Sequence, residues 1–112
     1  MDADSFDESI IFTGSKKNVE AVNFNRGRTT VVFGGSEINM TQAGLQGTGI
    51  VDIVVIFGAL EIIVPNDWRV EVSANAVFGA IEDKRFNTNT DPDKVLRITG
   101  FALFAGVEIK SF

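Results

Sequence analysis

Ile56-Phe57-Gly58-Ala59-Leu60-Glu61-Ile62 decides how this chain is read. An apolar run closes on a phenylalanine, two small residues follow, and the chain resumes with an apolar, a glutamate and another apolar residue. The first part of this frame, an apolar residue, a phenylalanine and two small residues, returns at Ile11-Phe12-Thr13-Gly14, Val32-Phe33-Gly34-Gly35, Val77-Phe78-Gly79-Ala80 and Leu103-Phe104-Ala105-Gly106. The five phenylalanines are 21, 24, 21 and 26 residues apart, the period range of a stacked repeat in which each unit is one turn of a coil.

Around these frames Val, Ile, Thr and Phe dominate and glycine punctuates at short intervals. Nowhere do apolar residues recur at i, i+3, i+4, i+7 long enough for a helix. The reading is all-β: a short, single-stranded, right-handed β-helix of about five coils, with parallel pairing between successive turns. At ~4.8 Å per rung the stack is about 24 Å tall. Residues 1–8 read as a tail or linker and 9–112 as one β-repeat domain. Expected strands are 9–13, 19–23, 30–33, 37–39, 51–57, 60–64, 69–73, 76–78, 96–99, 102–104 and 107–110. Pro65-Asn66-Asp67 forces a turn, and Trp68 after it reads as a core or cap aromatic. The small residues after each Phe mark a corner where a Cβ would crowd the next rung.

Composition excludes more than it assigns. The chain of 112 residues has no Cys, His or Tyr and a net charge of −5. Thiolate sites, disulfides, the commonest general base and the commonest metal ligand are all ruled out. An enzyme is not expected, nor any cofactor, metal or catalytic residue. The negative charge opposes nucleic-acid binding. The acidic start Met1-Asp2-Ala3-Asp4 is unlike a signal peptide, and no apolar run approaches the ~20 residues of a membrane span, so the chain as given reads as soluble. Asn87, Asn89, Asp91 and Asp93 alternate as in a calcium loop, yet Pro92 and the missing glycine and terminal glutamate favour a plain polar loop.

Two ladders emerge when the frames are aligned. Four residues past each Phe stand Lys16, Glu37, Glu61, Glu82 and Glu108. Four carboxylates at rung spacing could take a divalent cation or a cationic partner, or raise a carboxylate pKa; the plainer account is a solvated face paired with Lys84 and Lys110. The other ladder, immediately before each Phe, is Ile11, Val32, Ile56, Val77 and Leu103. Strands alternate faces, so either the Phe column or its predecessor column lies outside unless a bulge resets the parity. An outer strip of this kind marks a partner-contact surface for a protein, a second copy or a segment outside the chain; the competing account is that a corner or the N-terminal tail covers it. With the phenylalanines inward, Phe57→Ala would cost about 3 to 5 kcal/mol.

The runs Ile38-Asn39-Met40-Thr41-Gln42-Ala43, Val51 through Pro65, Trp68-Arg69-Val70-Glu71-Val72 and Val77-Phe78-Gly79 together resemble the LiaF-type C-terminal domain of bacterial cell-envelope stress proteins, the cell-wall-active antibiotics response family. The resemblance spans most of residues 30–110. It implies a rack-like β domain without catalytic residues or cofactor, attached behind N-terminal membrane helices that this chain lacks. It further implies modulation of membrane signalling through protein partners such as a membrane sensor kinase, a possible homo-oligomer, and tethering in the full-length protein, with the cytoplasmic face slightly favoured. The expectation from another class is a small carbohydrate-binding or polysaccharide-acting β-helix domain.

Overall fold

The computed structural model describes residues 5–11, 14–19, 24–45, 47–84 and 91–111. Among them every element is a strand: β1 (Ser5–Ile11), β2 (Gly14–Asn18), β3 (Arg26–Val32), β4 (Gly35–Asn39), β5 (Gly47–Ile56), β6 (Ala59–Val64), β7 (Trp68–Val72), β8 (Asn75–Val77), β9 (Ala80–Asp83), β10 (Asp91–Leu103) and β11 (Gly106–Ser111). The chain is all-β, with two parallel sheets. No helix among the described residues is long and apolar enough to cross a membrane.

One sheet is ordered β1-β3-β5-β10-β7, with β8 also on β10, and the other β2-β4-β6-β11-β9. Each repeat therefore lays a segment in the first sheet, divided into β7 and β8 in the fourth repeat, and a second segment in the other sheet; where the phenylalanine is described, the chain turns at it. Register follows the phenylalanine alignment, apart from a shift between Asp91 and Val95 where β10 pairs with the start of β7: Glu37 faces Glu61, Glu61 faces Glu108, and Glu108 faces Glu82. The repeats do not stack in chain order, however. The fifth, β10 and β11, is inserted between the third and the fourth, so the spatial order is 1-2-3-5-4.

The alternation of strand side chains builds the core between the sheets. Along β5, Val51, Ile53 and Val55 are buried while their neighbours face out. From the first sheet come Val31, Leu96, Ile98 and Ala102, and from the second Ile38, Leu60, Ile62, Val107 and Ile109. Trp68 is buried in this cluster. Its N–H donates to the Pro65 carbonyl at 3.3 Å, closing the expected turn.

Several boundaries differ from the sequence reading. β2 and β9 were not expected, because Gly14-Ser15-Lys16-Lys17-Asn18 and Ala80-Ile81-Glu82-Asp83 are too polar to stand out. Residues 20–23 of the expected strand 19–23 lie outside the described residues, as do Asn87 and Asn89. The expected strands 96–99 and 102–104 belong to one strand, β10, in which Gly100, between them, has φ 112°. Gly100 is not a turn. It pairs in register with Ile53, and a Cβ there would fall inside contact distance of the Ile53 carbonyl oxygen.

Candidate functional site: an exposed aromatic ladder and its flanking columns

The corner between the sheets is made by phenylalanine itself. Phe33, Phe57, Phe78 and Phe104 have φ of 52°, 51°, 51° and 49°, a left-handed conformation that costs a residue bearing Cβ roughly 1–2 kcal/mol. Cross-rung hydrogen bonds hold it: the Phe33 N–H donates to the Ile56 carbonyl at 2.9 Å, Phe57 to Leu103 at 3.0 Å and Phe104 to Val77 at 3.0 Å. The residue after the corner is crowded at Gly58 and Gly79, while after Phe104 the chain accommodates the Cβ of Ala105. A Cβ on Gly58 would meet the Gly34 carbonyl, and one on Gly79 the Ala105 carbonyl.

A left-handed residue interrupts the in-out alternation and turns the phenylalanine rings outward. They form a solvent-facing stack in the order Phe33, Phe57, Phe104, Phe78, with neighbouring centroids 5.0 Å apart and planes within 6°. Phe33, Phe57 and Phe104 are 49, 48 and 47 % exposed, and the terminal Phe78 is 78 % exposed. The inward placement considered for Phe57, and the core-sized penalty attached to it, is thereby overturned. The buried column is the one two residues earlier, where Val31, Val55 and Ala102 are fully enclosed. Phe12 lies outside the described residues.

The column immediately before the phenylalanines is also on the outer side. The backbone register aligns Ile11 with Val32, Val32 with Ile56, Ile56 with Leu103 and Leu103 with Val77. Val32, Ile56 and Leu103 are half-buried and Val77 is exposed. One column further out, half-buried Val54 neighbours exposed Phe101. Two adjoining columns, with Val54 and Phe101 beside them in a third column that also holds Thr30 and Asn75, thus form one apolar band, rimmed along the same sheet by ion pairs such as Arg28–Asp52 at 3.6 Å and Arg97–Glu71 at 3.3 Å. The sequence picked out the middle column of this band but not the aromatic one beside it. The signal was there in the two small residues, which place the corner on the Phe rather than after it.

On the second sheet, beyond the corner, Gly14, Gly35, Ala59 and Gly106 floor a trough of about 740 Å³, with Lys16, Glu37, Glu61 and Glu108 along its side. The glutamate ladder is real in register, and lysines of the next column interleave with it. Lys84 reaches Glu108 at 2.8 Å and Glu82 at 3.8 Å; Lys110 reaches Glu61 at 3.0 Å and Glu108 at 3.6 Å. This is the solvated, lysine-paired face of the plainer account. The hydrogen bond from Lys84, more than its charge, lowers the Glu108 pKa below the ordinary carboxylate value, opposite to the rise a bare ladder would give. Lys84 and Lys110 are raised by their hydrogen bonds to Glu108 and Glu61. Among the described residues no group of three or more Asp, Glu, His or Cys is arranged to hold a metal ion.

Compared with known proteins, the chain matches no family model, no curated protein and no solved structure.

Proposed function

We propose that this chain is a non-enzymatic protein-interaction domain, a short right-handed β-helix of the LiaF-like kind that it resembles, acting on membrane signalling in the bacterial cell-envelope stress response. The observation that carries this reading is the apolar band of the phenylalanine column and the column before it, widened by Val54 and Phe101. A protein without a partner rarely leaves so continuous an apolar surface in water, and bands with a charged rim are what protein interfaces use. In the full-length protein, tethering to the membrane would run through a segment outside this chain, and a membrane sensor kinase is the partner class the resemblance implies.

The carbohydrate-binding reading gains less support. Sugars dock on the open faces of aromatic rings, whereas here Phe57 and Phe104 have both faces stacked on neighbouring rings, and Phe78 alone among the described rings is largely exposed. The test is binding of purified chain to sensor-kinase ectodomain, transmembrane and cytoplasmic fragments in membrane nanodiscs. Saturable binding to one of them, lost in Ile56→Lys and Phe57→Lys with the circular dichroism spectrum unchanged, is the expected result. Binding that survives both substitutions, or saturable binding of a polysaccharide instead, would overturn it.

A further inference from the structure

We propose that copies of this chain stack end to end, the outer edge of the fourth repeat in one copy receiving the outer edge of the first repeat in the next as an added parallel rung. Among the described residues β7, β8 and β9 pair on one side only, through β10 and β11, and β1 and β2 pair on one side only, through β3 and β4. Among the described residues both ends of the stack therefore present strand edges with no second strand beside them, the usual template for strand addition.

The chemistry of the two ends is complementary. The register column that holds Ile38, Ile62 and Ile109, all fully buried, continues to Lys17 at one end and to Asp83 at the other. The column beside it ends in exposed Lys16 and exposed Glu82. Each end thus replaces or flanks the core isoleucine position with charge, and the two signs are opposite. A first repeat laid on a fourth in continuing register sets Lys16 over Glu82 and Lys17 over Asp83, repeating between copies the lysine–glutamate interleaving that Lys84 and Lys110 make within one.

The aromatic ladder ends in the same place. Phe78 is far more exposed than the three rings behind it, and among the described residues it stacks on Phe104 alone. A further ring at the 5.0 Å repeat is what its other face fits, with offset stacking adding to the burial. The contact joins two different surfaces without closing, so it generates open chains rather than dimers. It involves the ends of the stack, Phe78 at the end of the aromatic column included, and not the length of the lateral band, so it stands or falls apart from the function proposed above.

Sedimentation velocity over a range of concentrations and salt reads this out. The wild-type chain is expected to grow with concentration through dimer, trimer and longer species, and to shrink as salt screens the end charges. Lys16→Glu with Lys17→Glu in one variant, and Glu82→Lys with Asp83→Lys in another, should each stay monomeric alone. Mixed together, the two variants carry matched ends and should assemble again, while Ile56→Lys assembles as wild type. A wild-type chain that stays monomeric throughout, growth that stops at a dimer, or swap variants that assemble alone would each overturn the proposal. Circular dichroism and melting of every variant confirm that folding is not the cause.

Discussion

The ring of Phe104 lies 5.0 Å from that of Phe57 and within 4° of parallel, although Phe78 and its whole repeat come between them in the chain. Phe78 stacks on the far side of Phe104. The last repeat is thus the mechanical link between the third and the fourth, and among the described residues the strand partners of β7, β8 and β9 are β10 and β11.

Hydrogen exchange should show this dependence. Amides of β7 to β9 are expected to exchange at least as fast as those of β10 and β11, because the fourth repeat cannot keep its ladder once the fifth has opened. Slower exchange in β7 to β9 than in β10 would contradict the repeat order.

Phe57→Ala should cost about 1 to 2 kcal/mol, the worth of stacking on two neighbours and of a half-buried ring, rather than a core-sized penalty. Phe57→Gly, which loses the same ring but relieves the left-handed φ, should be more stable than the alanine variant by about 1 kcal/mol. Urea denaturation of the three proteins measures both differences. An alanine variant more stable than the glycine variant would count against the corner geometry.

Gly100→Ala places a Cβ where φ is 112° and where the Ile53 carbonyl passes. Strain and steric displacement together should destabilise the protein by about 2 to 5 kcal/mol, seen as a lower melting temperature. A near-neutral substitution would mean that the two central strands separate more easily than their register suggests.

Stability should fall at both pH extremes for separate reasons. Because Glu108 has a lowered folded pKa, its contribution is present above the unfolded carboxylate value of about 4.3 and is lost as pH drops through the folded one. Lys84 and Lys110 have raised folded values, so theirs is complete below an unfolded value of about 10.4 and fades as pH climbs through the folded one. Melting temperature against pH for wild type and Glu108→Gln checks this. The variant should show a flatter acid limb.

Repeat phase was readable because each column obeys one steric and polar requirement, and the alignment on phenylalanine gives the register that the backbone adopts. Repeat order was not, since repeats with matching columns can pair with one another in any sequence. One clue stood in the columns: Asp83 occupies the position of Ile38, Ile62 and Ile109, which marks the fourth repeat, not the fifth, as an end of the stack. The outward phenylalanines were missed because period-two alternation assumes that every residue keeps strand dihedrals, and Phe57 does not. The lysine pairing of the glutamates was legible, since Lys84 and Lys110 follow Glu82 and Glu108 by two residues on the same face.

During synthesis the fourth repeat leaves the ribosome before the strand it must dock against exists. At roughly 5–20 residues per second, β5 and β6 wait seconds with one flank bare until β10 and β11 emerge. A nascent copy is therefore open to capture by a neighbour's β10 on the same polysome, an exchange that would yield entangled chains by the same pairing that completes the native sheet.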